Sequence, residues 1–352
     1  MTSKHILVIN PGSTSTKLAF FQNDQKLEQE NIKLEAKAAK MPLWDQFESR
    51  LETVRNFIRI HRINKLDAVS GRGGLLKPVS RGTYAVNDIM IKDARKGIQG
   101  RHASNLGCAL AEQIARQWQS KAYIVDPVCV DEMEPLARYS GHPLLVRKAL
   151  SHALNIGAVT TKRAKELKKG VHETRFVVVH MGGGISVAAV KGGHIIDVND
   201  AAGDGPFTPE RSGSLPMQQF TDLCFSGQYT KENVKQMIMG NGGLKAYLGT
   251  SDVVQIEKSI RGGDETASEI VDAMIYQISK EIAAMGCVLY GKVDNIILTG
   301  GLTNSMHLVE SISKRTEFIA PIVTYAGEFE MEALALGVWR VLIGKEDPKE
   351  YK

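Results

Sequence analysis

An internal repetition constrains this chain more than any other feature. ILVINPGSTSTKLAF (6–20) and FVVVHMGGGISVAAV (176–190) align without a gap, with Asn10 opposite His180. Each reads as a buried strand, a turn of small residues and a second strand. The downstream segments repeat as well. In the first half, Leu27–Leu34 has the pattern of a third strand. Leu43–Ile60 carries apolar residues at 43, 44, 47, 51, 54, 57 and 58, and these steps of three and four predict an amphipathic helix. Leu66–Ser70 is a strand running into Gly71-Arg72-Gly73-Gly74. Ser104 can cap a helix reaching about Trp118, and Ala122–Val125 is a strand ending at Asp126-Pro127. In the second half, His194–Val198 closes a hairpin over Gly192-Gly193 and Thr266–Tyr290 is a long helical stretch. Asn295–Thr299 is a strand stopping at Gly300-Gly301, Thr303–Lys314 a helix, and Pro321–Tyr325 a strand before a last helix at about 330–343.

A repeat this long is not a solenoid. It predicts a duplicated α/β chain with domains at 1–150 and 151–330, the segment 330–352 packing back on the first. The length of 352 residues suits two domains. Alternating strands and helices put functional loops at the carboxyl ends of strands, and two facing halves would turn those ends into one central cleft.

Composition removes several classes of function. With 43% hydrophobic and 24% charged residues, the chain is neither disordered nor a disulfide miniprotein. No apolar run approaches the roughly 18 residues of a membrane span. The four-residue apolar run before Asn10 is too short for a signal peptide, so a cytoplasmic location is expected, with no membrane partner. Cys108, Cys129, Cys224 and Cys287 are scattered and read as reduced core thiols. The net charge of +5 is mild, and the basic stretch at 161–170 suits a solvated helix face better than a nucleic-acid surface.

Three loops carry chemistry. In Asn10–Lys17, Gly12, Ser13, Thr14, Ser15 and Thr16 are small enough for backbone N–H groups and hydroxyls to approach phosphate oxygens, and Lys17 adds charge. The loop leads into a strand and lacks the GxxxxGK[ST] spacing, so it is not a P-loop. In His180–Ser186, Gly182, Gly183 and Gly184 let backbone come close to a ligand, beside a strand-end His180 able to donate to a phosphoryl oxygen. In Leu298–Ser305, Gly300 and Gly301 join a strand to a helix whose amino end could receive a nucleotide.

This arrangement resembles the actin, hexokinase and Hsp70 ATPase superfamily, with its duplicated RNase H-like (actin-like) domains. Within it, L-V-I-N-P-G-S-T-S-T-K at 7–17 and H-M-G-G-G-I-S-V-A-A at 180–189 resemble the acetate, propionate and butyrate kinase family. S-G-R-G-G-L (70–75), S-H-A-L-N (151–155), E-M-E-A-L-A-L-G (330–337) and the short chain are most like its butyrate kinase members.

The resemblance implies a kinase that passes the γ-phosphoryl of ATP reversibly to a short-chain or branched carboxylate with Mg²⁺, giving acyl phosphate and ADP, in a dimer or larger homo-oligomer. Asn10 would lie near the transferred phosphate and Mg²⁺, with Ser13, Ser15 and Lys17 beside it. Arg72 would hold the carboxylate, Arg211 would be the second active-site arginine, and His102 and Asp126 would join them. His180, Gly182 and Gly184 would form the second phosphate loop, and Asp252, Gly300, Gly301 and Asn304 would contact adenosine. Of Glu330 and Glu332, Glu332 is the favoured Mg²⁺ ligand, with Asp126 also near the metal. The family's acetate kinases carry F-H-G-T-S-H, whose second His lies in the active site. Here His152 keeps the first His, and Asn155 and Ile156 occupy the end of the motif, which suggests a different acyl pocket.

The chemistry agrees with these residue types. A carboxylic acid is ionised at pH 7, judging from Asp and Glu, and needs no general base. It repels a triphosphate, so catalysis consists of neutralisation and positioning. Arg grips carboxylate or phosphate bidentately, and Asp126 is then an orienter of metal-bound water or of an arginine. Two other readings stay open: a sugar kinase of the superfamily with Asp126 as base, and a non-catalytic ATP-gated binding protein.

Overall fold

The computed structural model describes residues 3–352. In chain order its strands are β1 (His5–Pro11), β2 (Ser15–Gln22), β3 (Gln25–Lys33), β4 (Ala68–Arg72), β5 (Thr83–Ala85), β6 (Lys121–Val125), β7 (Arg175–Met181), β8 (Ile185–Lys191), β9 (His194–Val198), β10 (Asn295–Gly300), β11 (Ile322–Ala326) and β12 (Lys349–Glu350).

They form two sheets, ordered β12-β5-β6-β4-β1-β2-β3 and β11-β10-β7-β8-β9. In each, an antiparallel three-strand meander (β1-β2-β3 or β7-β8-β9) is extended on the edge of its first member by two parallel strands, β4 and β6 or β10 and β11, and in the first sheet β5 then joins β6 antiparallel. Strand β7 begins at Arg175 as β1 does at His5, and β8 at Ile185 as β2 at Ser15, one constant offset. The duplication visible in sequence is therefore a duplicated actin-like topology.

The chain forms two compact units. One comprises residues 1–131, 153–158 and 329–352, the other 132–152 and 159–328. Where the sequence predicts crossings near 150 and 330, the chain passes between the units after residues 131, 152, 158 and 328, the third of these inside the helix Ala153–Glu166.

In the first unit, strand alternation feeds both faces of the sheet. Leu7 and Ile9 pack with Leu51, Val54 and Phe57 of the helix Phe47–Ile60 and with Leu110 and Ile114 of the helix Gly107–Gln117. Ile6 and Val8 pack on the other face with Leu334, Ala335 and Val338 of the helix Glu330–Leu342. In the second unit, Val177, Val179 and Met181 face Met274, Ile278 and Ile282 of the long helix Glu265–Val288.

Some local expectations change. His102, not Ser104, caps the segment before the helix Gly107–Gln117, through a turn of 3₁₀ helix at Ala103–Leu106. A second such turn, Gly301–Asn304, separates β10 from the helix Met306–Thr316. Cys108 and Cys129 are buried thiols whose pKa burial pushes up to about 12, whereas Cys224 is half-buried and Cys287 exposed. Among the described residues no helix is long and apolar enough to cross a membrane.

Candidate active site

In the first unit, β1 and β4 are parallel neighbours, with Ile9 opposite Gly71, so Asn10 and Arg72 lie at the carboxyl ends of adjacent strands, Asn10 one residue before the last of β1. The helix Glu330–Leu342 brings its first residue to them. Asn10 Nδ2 donates to Glu330 Oε2 at 2.9 Å, and Arg72 Nη1 lies 2.5 Å from Glu330 Oε1. Arg72 is only 6% exposed, and its buried Nη1 faces the Glu330 carboxylate as an ion pair rather than as a well-aligned hydrogen bond. The helix start is set by Asn155, whose Oδ1 accepts the Phe329 N–H at 3.0 Å. Asn155 and Ile156, at the end of the departed motif, are both fully buried.

Glu332 is elsewhere. Two residues along a helix is a rotation of about 200°, and its Oε1 meets Lys26 Nζ at 2.8 Å on the surface. The structure thus gives the place beside Asn10 to Glu330, correcting the preference for Glu332. Asp126 is also committed: Oδ1 accepts the Gly82 N–H at 2.7 Å and Oδ2 meets Arg81 Nη2 at 3.1 Å. Both oxygens serve the protein, so Asp126 orients an arginine, Arg81, which no sequence motif marks. His102 spends Nδ1 on the Ser104 N–H and hydroxyl, which makes it an exposed cap.

In the first loop, Gly12 N–H donates to Ser15 O at 2.8 Å, Ser13 and Thr14 are exposed, and Lys17 stands across from Asn10 in the β1–β2 register.

In the second unit, His180 occupies the same place on β7 that Asn10 has on β1. It is buried, and its ring stacks on His152 with centroids 3.9 Å apart and planes 14° from parallel. His152 in turn meets Ser186 Oγ through Nδ1 at 2.9 Å, and Ser186 is the cross-strand neighbour of His180. Beyond His180, a Cβ on Gly184 would collide with the Arg211 guanidinium, so this glycine lets Arg211 lie against the loop. Arg211 Nη1 donates to Ala201 O at 2.5 Å and its buried Nε has no partner among the described residues. Burial pulls its pKa below the ordinary value, with Glu210 and Asp200 opposing.

Gly300 takes a φ of 95°, and a Cβ there would strike the Met181 carbonyl. Gly301, by contrast, faces open space. It borders a cavity of 420 Å³ together with Gly182, Gly183, Asp252, Asn304 and Glu257. Asp252 caps the helix Val253–Arg261, and Asn304 Nδ2 holds Gly301 O at 2.9 Å. Carboxylates of Glu210, Asp252, Glu257 and Glu328 line the cavity, and among the described residues no Lys or Arg does. That charge suits the hydroxyl and amino donors of a nucleoside and repels its phosphates, whereas the partly unsatisfied Arg211 beside the glycine loop suits phosphate.

The structure therefore assembles Asn10, Arg72 and Glu330 in one unit, and His180, Gly182–Gly184, Arg211, Asp252, Gly300, Gly301 and Asn304 in the other. Sequence reasoning passes over Arg81, the stacking role of His152, and Glu257.

The sequence profile of the acetokinase family matches residues 135–323. A protein of Listeria innocua named probable butyrate kinase is 48% identical over 99% of this chain and 100% of its own length. Among solved structures, acetate kinase of Porphyromonas gingivalis superposes with a TM-score of 0.79 at 17% identity, covering 97% of this chain and 100% of that one. A propionate kinase of Francisella tularensis superposes at 0.77 with 18% identity, covering 95% and 98%.

Proposed function

The chain belongs to the acetokinase family, and from that premise we propose that it is a butyrate kinase: it moves the γ-phosphoryl of ATP reversibly to butyrate or a branched short-chain acid, giving acyl phosphate and ADP. Membership supports phosphoryl transfer to a carboxylate; the choice of acid leans on the relative named probable butyrate kinase, 48% identical from end to end. The observation that carries the carboxylate reading is Arg72, a buried arginine at a strand end, grouped with Asn10 and Glu330.

In this reading Arg72 grips the carboxylate, and no base is required because the acid is already ionised. The first loop and the glycine loop after His180 each offer N–H and hydroxyl donors suited to phosphoryl oxygens. His180, held flat by His152, donates to a phosphoryl oxygen, and Arg211 offsets the charge that two anions bring together. The acidic cavity takes the nucleoside. Asn10 and Glu330 present amide and carboxylate oxygens, the hard donors that Mg²⁺ accepts alongside phosphate and water, so they fit it as ligands. When bound, Mg²⁺ neutralises phosphate charge. A homo-oligomer in the cytoplasm is part of the same reading.

Hydroxamate trapping of acyl phosphate, across acids of two to six carbons, tests this. Butyrate and branched acids should exceed acetate in kcat/KM. Acetate as good or better removes the butyrate assignment and leaves the carboxylate kinase; no acyl phosphate with any acid removes both.

A further inference from the structure

Arg50 is the largest fully buried side chain and, among the described residues, pairs with no acid. All five of its N–H donors are used, and every acceptor is neutral. Nε and Nη2 meet Gln46 Oε1 at 3.2 and 2.9 Å. Nη1 meets Ser15 O and Thr16 Oγ1, each at 3.0 Å, and Nη2 meets Gly12 O at 2.8 Å. The acceptors Gly12, Ser15 and Thr16 are the two flanks of the first loop. A trans peptide points its C=O and N–H in opposite directions. With the Gly12 carbonyl drawn down to Arg50, the Ser13 N–H faces the other way, at the exposed crest of the loop.

An isolated buried charge is costly, and proteins ordinarily pair it. Burial pulls the Arg50 pKa down to about 10, which still leaves it cationic at neutral pH. A neutral side chain of similar volume would fill the space without that penalty.

We propose that Arg50 is a positioning residue for phosphoryl binding: it fixes the first loop with its N–H groups outward and holds an unneutralised positive charge beneath it. This rests on the reading of that loop as a phosphate loop. The charge acts through the loop and touches no substrate. It favours the terminal phosphate of ATP, or the phosphate of an acyl phosphate, over a nucleotide lacking that group.

The test separates charge from architecture. Gln46→Glu keeps an oxygen acceptor for Arg50 but places a carboxylate against the guanidinium and cancels its charge. Arg50→Lys keeps the charge with fewer donors, and Arg50→Met removes both. The readout is the affinity of the β,γ-imido analogue of ATP relative to ADP, by calorimetry, with folding checked by circular dichroism and melting temperature. Gln46→Glu should stay folded and lose roughly 10- to 30-fold of that ratio, the scale of a unit charge acting across one loop in an effective dielectric of about 20. Arg50→Lys should keep most of the ratio. A merely structural Arg50 would leave the ratio unmoved in Gln46→Glu, and a folded Gln46→Glu within twofold of wild type overturns the proposal. Should Gln46→Glu fail to fold, Arg50→Lys and Arg50→Met decide it: equal ratios in both, or a Lys variant as impaired as Met, overturn the charge role. A wild-type protein that binds the analogue no better than ADP would instead sink the phosphate-loop reading itself.

Discussion

Replacing Arg72 by Ala has two separable consequences. The Arg72–Glu330 pair is buried, with side chains 8% and 13% exposed. Removing one member of a buried pair typically costs about 3–5 kcal/mol because the other charge is stranded. Here Asn10 Nδ2 still donates to Glu330, and one charge-assisted hydrogen bond is worth about 1.5–3 kcal/mol. The expected loss of stability is therefore about 2–3 kcal/mol, read by urea unfolding. The loss in kcat/KM for the acid is separate. A charged group gripping a carboxylate is worth about 2–5 kcal/mol when truncated, or roughly 30- to several-thousand-fold. ATP affinity should change by less than about threefold, because the nucleoside cavity is lined wholly by second-unit residues. Arg72→Met combined with Glu330→Gln removes the stranded charge, so stability should recover while activity stays low. An exposed ion pair would predict less than about 1 kcal/mol in either assay. An Arg72→Ala protein with wild-type stability and kcat/KM within threefold would refute the reasoning.

Glu330→Gln should lower kcat by at least ~100-fold and raise the Mg²⁺ requirement, whereas Glu332→Gln, which breaks only a surface pair with Lys26, should stay within about twofold; steady-state kinetics over a magnesium titration reads both. Gly184→Ala must displace the Arg211 guanidinium and should cost at least ~10-fold in kcat/KM with little change in melting temperature. Burial works against the ionised Asp294, but hydrogen bonds from Lys169 and the Arg175 N–H outweigh it and hold its pKa below the ordinary carboxylate range. A depressed folded-state pKa stabilises above the unfolded value, so Asp294→Asn should cost about 1 kcal/mol at pH 7, and the difference from wild type should shrink as pH falls below about 4.

The parts legible in sequence are those written in short periods. Two buried strands around a turn of small residues announce themselves by composition, and their recurrence discloses the duplicated sheet. The glycine loops are readable because a missing side chain is a local property, and a Cβ at Gly184 or Gly300 would indeed meet its neighbours. What depends on tertiary contacts stays hidden. Glu330 and Glu332 share a helical first turn and similar neighbours, and only the direction in which the helix meets β1 and β4 separates them. Asp126 ends its strand as expected, but its partner Arg81 comes from a distant loop. The segment 217–248 gives no clear period because its helices, Met217–Phe225, Lys231–Ile238 and Gly243–Leu248, are short and separated by glycine-containing turns. Arg50 does leave a trace in the sequence. It lies on the apolar stripe marked by Phe47, Leu51 and Val54, where a charged residue is out of place unless something beneath the sheet edge needs it.

The central claim is that the nucleophile is a carboxylate oxygen. Incubating the protein with Mg-ATP and butyrate labelled with ¹⁸O in both carboxylate positions, and reading the acyl phosphate by ³¹P NMR, tests it directly. The account predicts an isotope-shifted phosphorus resonance from one ¹⁸O bridging carbon and phosphorus, with ADP unlabelled. An unshifted acyl phosphate, or unlabelled inorganic phosphate released without any acyl phosphate, would contradict it.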